Sequence, residues 1–212
     1  MPDLSLESAI HRRGIRFVAG VDEAGRGPLA GPVVAAAVIL PPDLTGEETW
    51  LQFLDDSKRL SPNQRERAVD VIHEHALAVG VGMVGPEDID NMGIGHAALA
   101  AMMRAVDRLS LEPGHLLLDF IHVRKCPYTY DTIVKGDSLS YSIAAASNVA
   151  KVTRDRLMVE AEEAYPGYAF ARHKGYPTKA HFETLRQLGP CPIHRRSFAP
   201  VAQAQMMFPS GA

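Results

Sequence analysis

Cysteine is scarce in this sequence, which holds only two, Cys126 and Cys191, among 212 residues. Two cysteines cannot build the disulfide framework of a small secreted domain. Neither stands in a CxxC pair or in a Cys/His cluster at zinc-binding spacing. We therefore interpret both as ordinary thiols, which is typical of a protein in the reducing cytosol.

Long apolar runs are also missing, since no stretch approaches the ~20 uninterrupted apolar residues that a membrane-spanning helix requires. The first seven residues, MPDLSLE, contain early acids in place of the apolar segment of a signal peptide. Together with the free thiols, these absences lead us to expect a cytoplasmic protein with no membrane partner.

An excess of positive charge, the usual mark of a chain that binds nucleic acid over its whole surface, is absent as well. Lys and Arg number 22 against 25 Asp and Glu, which gives a formal net charge of −3. Any binding to nucleic acid must therefore depend on a local basic face. Arg172, His173 and Lys174 form such a cluster beside the aromatic Tyr176.

The sequence does contain alternating strand-like runs and amphipathic helices, which predict an α/β domain. Hydrophobic residues make up 46% of the chain, enough to bury one good core, so a single domain is the simplest division. We interpret residues 1–14 as a lead-in, residues 15–198 as the domain with helices at its C-terminal end, and residues 199–212 as a loose tail.

Turn and capping residues delimit the predicted elements. Two apolar runs, 17–21 and 32–40, flank a turn rich in glycine and proline, which predicts a hairpin of buried strands. Ser61, followed by Pro62 and Gln64, predicts the start of a helix that reaches about residue 77. Other strands are predicted at 79–84, 115–119 and 131–134, and other helices at 96–109, 140–164 and 178–188.

Three strand-like runs are followed by carboxylates, namely Asp22 with Glu23, Asp119, and Asp137. Functional groups gather at strand ends in α/β sheets. Like charges placed close together resist joint ionisation unless a cation lies between them, and an all-oxygen set of ligands suits Mg²⁺ or Mn²⁺ better than zinc. Because a pair of such ions can catalyse in-line phosphoryl displacement, the pattern indicates phosphodiester hydrolysis.

Each acid taken alone is more simply a solvated strand end, since exposed Asp and Glu are common. Asp22 and Asp119 resist that interpretation because each directly follows an apolar run. Glu23 is less secure as a ligand. Neighbouring side chains on a regular strand point to opposite faces, and only the turn that begins at Ala24 could re-aim it.

The segment 19–33, AGVDEAGRGPLAGPV, resembles the signature of the bacterial ribonuclease HII family. Further blocks resemble that family in the same order: DDSKRLS at 55–61, KGD at 135–137, SIAAAS at 142–147, AKVTRD at 150–155 and HKGY at 173–176. The resemblance covers about residues 16 to 198. It implies a ribonuclease H-like mixed sheet flanked by helices, with a C-terminal helical part.

The same resemblance implies an endoribonuclease that hydrolyses the RNA strand of RNA–DNA hybrids. It also implies cleavage 5′ to a single ribonucleotide embedded in duplex DNA, giving a 3′-hydroxyl and a 5′-phosphate, the entry step of ribonucleotide excision repair. The expected partners are therefore RNA–DNA hybrid and ribonucleotide-containing duplex DNA, and a monomer is expected. The family's four acids, which hold two Mn²⁺ or Mg²⁺ ions, correspond to Asp22, Glu23, Asp119 and Asp137.

Substrate-binding residues are implied in the same way. Gly25, Arg26 and Gly27 correspond to a loop whose backbone senses the 2′-hydroxyl, a role that suits glycine because it lets the backbone approach a sugar. Tyr176 corresponds to a tyrosine that stacks on the sugar at the RNA-to-DNA junction. Without the resemblance, the glycines would indicate a plain turn and Tyr176 an ordinary loop aromatic. Contacts to backbone phosphates are expected from Ser57, Lys58, Lys151 and Arg154.

Three alternatives stay open from the sequence. The first is another two-metal nuclease on the same fold, such as a DNA nuclease or ribonuclease HIII, although no extra N-terminal domain precedes the signature segment. The second is a module that binds hybrids without cutting them, which would need the acids to be lost. The third is a structural α/β domain, which would show no metal-dependent change in melting temperature.

Overall fold

The protein is described by a computed structural model that covers residues 2–119 and 126–207. Its centre is a mixed sheet with the strand order β3-β2-β1-β4-β5. The first three of these strands pair antiparallel, whereas β1, β4 and β5 pair parallel. The predicted mixed sheet is therefore confirmed. The strands are β1 (Val18–Ala24), β2 (Val33–Ile39), β3 (Ala78–Val84), β4 (His115–Asp119) and β5 (Tyr130–Ile133).

Helices lie on both faces of the sheet, and further helices form the C-terminal part of the chain. They are α1 (Ser5–His11), α2 (Pro62–His75), α3 (Pro86–Met92), α4 (Ile94–Val106), α5 (Tyr141–Ala164), α6 (Phe170–His173), α7 (Lys179–Leu188) and α8 (Ala199–Met207). Short 3₁₀ helices cover Thr49–Phe53 and Gly136–Ser138.

The predicted cap at the start of α2 is present. The Ser61 hydroxyl accepts from the Gln64 backbone N–H, and the Gln64 side chain accepts from the Ser61 N–H, so two otherwise unpaired donors are satisfied. At the starts of α5 and α7, the hydroxyls of Ser140 and Thr178 each accept one backbone N–H bond. These caps fix where each helix begins.

Two apolar layers hold the helices on the sheet. One packs α4 against β1, β2 and β3, and the other packs α2 and α5 against the opposite face. Each fully buried Val, Leu, Ile or Met side chain there stabilises the fold by about 1.5–3 kcal/mol, and each alanine by less. Gly20 allows α5 to cross β1 closely, because a Cβ at that position would lie 2.1 Å from the carbonyl carbon of Ser142. This crossing brings α5 over the strand that carries Asp22.

The chain after Phe198, expected to be loose, forms helix α8 as far as Met207, so that expectation is wrong. Val201 and Ala204 lie three positions apart on one helix face and pack against Leu29 and Leu185. Residues 208–212 of the predicted tail lie outside the described residues.

Residues 1–14, interpreted as a lead-in, contain α1, which buries Glu7 and Ile10. One carboxylate oxygen of Glu7 accepts from the hydroxyls of Ser140 and Ser142, at 2.6 and 2.7 Å. The helix is thereby tied to the start of α5. The proposed division into lead-in, domain and tail stays a prediction.

Two expectations from composition concern thiols and membranes. Cys126 and Cys191 are both free, as predicted. Across 2–119 and 126–207, none of the helices is both long enough and apolar enough to traverse a lipid bilayer. The cytoplasmic location and the monomeric state stay predictions.

Candidate active site

Three aspartates from separate parts of the chain meet at the carboxyl ends of the parallel strands. One carboxylate oxygen from each of Asp22, Asp119 and Asp137 lies within 4.8 Å of the other two. The parallel register pairs Val21 with Leu118, so the next residues, Asp22 and Asp119, lie side by side. Asp137 joins them from the 3₁₀ helix that follows β5.

Each aspartate is held by a different group. An oxygen of Asp119 accepts from the Gly136 N–H at 2.8 Å, which ties the end of β4 to the loop that carries Asp137. Asp137 accepts from the Lys58 ammonium at 2.8 Å. Ser147 on α5 stabilises ionised Asp22 by hydrogen bonding, which favours a lower pKa for that carboxyl.

The electrostatics of the cluster favour a cation. Burial raises the pKa of Asp22 well above its ordinary value, and the charges of Glu23 and Asp119 raise it further. Burial also raises the pKa of Asp119, and the charge of Asp137 adds to this effect. Carboxylates that resist ionisation together will ionise readily once a divalent cation lies between them.

Glu23 lies next to the cluster, although it is not one of the three converging aspartates. One of its oxygens accepts from the Arg26 guanidinium at 3.3 Å. Its other oxygen, Oε2, is buried and has no hydrogen-bond partner in the part of the chain that the structure describes. Burial raises the pKa of Glu23 to about 7, partly offset by Arg26 and reinforced by Asp119. An unpartnered buried carboxylate oxygen beside three others fits a further metal ligand.

A cavity of about 250 Å³ opens over the acids. It brings together all the metal-ligand and substrate-contact residues implied by the family resemblance except Asp137 and Arg154. Its lining also includes Ser147, which sequence reasoning missed. Ser147 stands four positions before Lys151 on α5 and so shares a helix face with it, a spacing that could have identified it. The lining residues are Asp22, Glu23, Ala24, Gly25, Arg26, Gly27, Ser57, Lys58, Asp119, Ser147, Lys151 and Tyr176.

Arg154 is not among the residues that line this cavity, and its expected phosphate contact stays a prediction. Its side chain is fully buried. The guanidinium donates to the carbonyls of Pro32, Lys174 and Ala30, each at 3.0 Å. Lys151 is only three positions away on α5. Its side chain nevertheless lies near the surface, whereas that of Arg154 points into the protein. We therefore assign Arg154 a structural role.

Ser57 and Lys58 line the cavity but are already engaged. The Ser57 hydroxyl is buried and lies 2.9 Å from the Ser147 hydroxyl. Lys58 pairs with Asp137, while most of its side chain stays exposed. A phosphate would reach Ser57 or Lys58 only in competition with these partners.

Tyr176 stands at the rim of the cavity. Its side chain is exposed, and its ring centre lies 5.4 Å from the Lys151 ammonium and 5.7 Å from the Arg154 guanidinium carbon. The buried His181 holds the adjacent backbone through a 3.0 Å bond to the Tyr176 carbonyl. The ring therefore has a fixed base and an accessible face.

A second, larger groove of about 620 Å³ lies between α2, α5 and α6, and it shares Lys151 and Tyr176 with the first cavity. Arg172 and Lys174 line it, as expected of the basic cluster. His173 lines it as well but is not the surface cation that was expected, since it is buried and bonds to the Tyr168 carbonyl. Burial lowers the pKa of His173, which favours its neutral form.

Comparison with known proteins identifies relatives along nearly the whole chain. The sequence profile described as ribonuclease HII matches residues 19–201. A ribonuclease HII of Geobacter sp. (strain M21) is 54% identical over 200 residues, which cover 94% of this chain and 85% of the relative.

Solved structures agree on the fold. The crystal structure of the ribonuclease H2 from Pyrococcus horikoshii OT3 superposes with a TM-score of 0.76 at 28% identity and covers 92% of this chain and 100% of that chain. Bst ribonuclease HIII, solved in complex with Mn²⁺, gives a TM-score of 0.69 at 21% identity and covers 96% and 73% of the two chains.

Proposed function

The chain belongs to the ribonuclease HII family and is a metal-dependent endonuclease that cleaves RNA in RNA–DNA hybrids; we propose that it cuts on the 5′ side of a ribonucleotide, including a single one within duplex DNA. The main support for this proposal is that oxygens of three aspartates lie within 4.8 Å of one another, and that two of these residues, Asp22 and Asp119, line a cavity. The same cavity is lined by Gly25–Gly27 and by Tyr176.

Asp22, Asp119 and Asp137 are the residues that would hold divalent ions, with Glu23 as a further ligand through its unpartnered Oε2. When bound, a pair of Mg²⁺ or Mn²⁺ ions lowers the pKa of the attacking water and stabilises the leaving 3′-oxygen. The chain itself supplies the fixed positions of these oxygens. The Gly136 N–H orients Asp119, and Ser147 favours the ionised form of Asp22.

Recognition of the ribonucleotide is assigned to the loop 25–27 and to Tyr176. A Cβ at Gly27 would meet no protein atom within 4 Å, so the backbone there is open to a sugar. The 2′-hydroxyl, which distinguishes RNA from DNA, is both a donor and an acceptor that backbone groups can bind. The exposed Tyr176 ring offers a surface on which a sugar or base can rest.

Contacts to the phosphate backbone are assigned to Lys58 and Lys151, which line the cavity with their ammonium groups near its surface. Both are engaged with carboxylates that a phosphate would have to replace, Asp137 and Asp155. Ser57 is proposed as a weaker contact because its hydroxyl bonds to Ser147. Such contacts give affinity without reading sequence.

The test is cleavage of an end-labelled DNA duplex that carries one ribonucleotide, with and without Mn²⁺ or Mg²⁺, alongside the same duplex made only of DNA. We expect a single metal-dependent cut 5′ to the ribonucleotide, with a 3′-hydroxyl on one product, and no cut in the all-DNA duplex. Equal cutting of both duplexes would identify a DNA nuclease, and no cutting of either would remove the proposed substrate.

An Asp119→Asn variant makes the test specific to the metal site. The amide oxygen can still accept from the Gly136 N–H, so the loop keeps its place while a negative charge is lost. We expect cleavage to be abolished and binding to hybrid to be retained. Asp70→Asn, a matched change on the exposed face of α2, should cut like the parent protein. Turnover by Asp119→Asn would remove Asp119 from the centre of the site.

A further inference from the structure

Arg195 is a fully buried arginine whose bonds go to backbone carbonyls. Its guanidinium donates to the carbonyls of Gly25, Arg26 and Gly31, at 2.6, 3.1 and 2.9 Å. Within 2–119 and 126–207 it forms no ion pair with a carboxylate. Burying a charge is unfavourable unless hydrogen bonds replace its water, so the three carbonyls account for its position.

The hydrogen bonds from Arg195 to the carbonyls of Gly25 and Arg26 fix the directions of the next backbone N–H groups, those of Arg26 and Gly27. The described peptide bonds are all trans, and in a planar trans peptide the N–H points opposite to the C=O. The Gly25 and Arg26 carbonyls point at Arg195, so the N–H groups of Arg26 and Gly27 point away from it. Neither N–H has a hydrogen-bond partner among the residues that the structure describes. Two adjacent donors are thus available in the loop that lines the cavity.

The position of Arg195 is fixed by backbone hydrogen bonds between segments 29–31 and 193–195. The Arg195 N–H donates to the Leu29 carbonyl at 2.9 Å, and the Gly31 N–H donates to the Ile193 carbonyl at 2.8 Å. Ala30 and His194 form an antiparallel bridge between these two bonds. The guanidinium therefore has little freedom to move relative to the loop that it holds.

A second buried arginine braces the same region. Arg154 donates to the carbonyls of Ala30 and Lys174, and a Cβ at Gly25 would lie 2.2 Å from its Nε. Burial first and the charge of Arg154 second lower the pKa of Arg195 to about 9, which leaves it protonated at neutral pH. Arg154 thus links the loop that carries Tyr176 to segment 30–32, and Arg195 links that segment to the Gly25–Gly27 loop.

From this geometry we propose that Arg195 is a positioning residue for ribonucleotide recognition, which presents the Arg26 and Gly27 N–H groups to the substrate sugar by holding the preceding carbonyls. This inference rests on the proposed function. Arg195 does not reach the reacting atoms. In a duplex with one ribonucleotide, the loop must recognise the 2′-hydroxyl at a single position. A continuous hybrid offers a ribonucleotide at every position of its RNA strand. Loss of Arg195 should therefore harm the first substrate more.

The experiment compares Arg195→Lys and Arg195→Gln with Arg196→Lys, the same kind of change at the exposed neighbouring arginine. Lysine keeps the charge but cannot span three carbonyls with a planar fork, and glutamine keeps part of the hydrogen bonding without the charge. The measured quantities are kcat/KM on the single-ribonucleotide duplex and on continuous hybrid, the position of the cut, and the rise in Tm caused by Mn²⁺.

We expect both Arg195 variants to lose about tenfold or more in kcat/KM on the single-ribonucleotide duplex relative to continuous hybrid, since small misplacements of binding groups have effects of that size. The Mn²⁺-induced rise in Tm should match the parent protein, because the acids are untouched, and Arg196→Lys should behave as the parent does.

Equal losses on the two substrates, or full activity, would overturn the inference. Unfolding of both Arg195 variants would also overturn it, by making Arg195 a requirement of the fold alone. Failure of the parent protein to cut the single-ribonucleotide duplex is a different result, which would refute the proposed function before any variant is compared.

Discussion

The ammonium of Lys58 lies 2.8 Å from a carboxylate oxygen of Asp137, one of the three converging aspartates. This ion pair gives the acidic cluster a positive partner from the chain itself. Lys58 is largely exposed, so water screens its ammonium, whereas Asp137 is buried. A divalent ion at this carboxylate would compete with Lys58 for the same oxygens.

Replacing Lys58 by alanine should make the empty site more repulsive. We expect Lys58→Ala to show a larger Mn²⁺-induced rise in Tm than the parent protein, because metal relieves more repulsion, together with weaker binding to hybrid. Thermal melts with and without Mn²⁺ measure the first effect. Lys179→Ala, at an exposed lysine on α7, is the control and should change neither quantity. An unchanged Mn²⁺ response in Lys58→Ala would mean that the ion pair does not influence the metal site.

The raised carboxyl pKa values predict how metal-free stability depends on pH. Folding raises the pKa of Glu23 from 4.5 to about 7, chiefly through burial, so the folded state holds more protons than the unfolded state between these values. Stability from this group is therefore fully present below pH 4.5 and is lost as the pH rises through 7. Because metal binds the ionised form, the Tm gain from Mn²⁺ should grow over the same window.

Buried histidines act in the opposite direction. Burial lowers the pKa of His181 and His194 from 6.5 to about 4, so their contribution is present above pH 6.5 and is lost toward pH 4. The histidines contribute equally to Tm with and without Mn²⁺, so their contribution cancels when the two Tm values are subtracted at each pH. Glu23→Gln should make the Mn²⁺-induced rise in Tm depend less on pH between pH 4.5 and 7. An unchanged pH dependence would show that the titration of Glu23 does not contribute to it.

Two glycines of the recognition loop should respond differently to the same substitution. Gly25 has φ +100°, and a Cβ there would lie 2.2 Å from the Arg154 Nε, so Gly25→Ala should lower the free energy of unfolding by more than about 1 kcal/mol. Gly27 has open space around it, so Gly27→Ala should leave Tm unchanged while lowering cleavage of the single-ribonucleotide duplex. Full activity of Gly27→Ala would show that the substrate does not approach this backbone.

Tyr176 should matter most when only one ribonucleotide is present. Its exposed ring lies on a backbone held by His181, so Tyr176→Ala removes a stacking surface without disturbing the acids. Because one stacking contact is worth about 1–3 kcal/mol, we expect a loss of roughly tenfold or more on the single-ribonucleotide duplex and a smaller loss on continuous hybrid. Tyr176→Phe keeps the ring and should retain most activity. Equal losses on both substrates would argue against a role at the junction.

Local sequence patterns anticipated much of the fold. Strand ends, caps and turns depend on neighbouring residues, so the runs that became β1, β2 and β4 and the Ser61 cap could be identified. The side-by-side placement of Asp22 and Asp119 depends on the parallel register between distant strands, which no local pattern contains. Family resemblance supplied that link.

Burial of charged residues was the part that sequence could not supply. Arg154 and Lys151 share a short helical stretch, yet only the packing of segment 30–32 decides that Arg154 turns inward. Arg195 likewise acquires its role from carbonyls about 165 to 170 positions away. The helix after Phe198 was missed because its apolar residues follow no clear amphipathic pattern, although alanine, glutamine and methionine favour helices.

Asp22, Asp119 and Asp137 should together form a site for divalent ions, and anomalous diffraction from crystals soaked in Mn²⁺ would locate such ions. The expected result is anomalous density within direct coordination distance of oxygens from all three aspartates, which disappears in crystals of Asp119→Asn. Density only at exposed acids elsewhere, or none between these three carboxylates, would contradict the account.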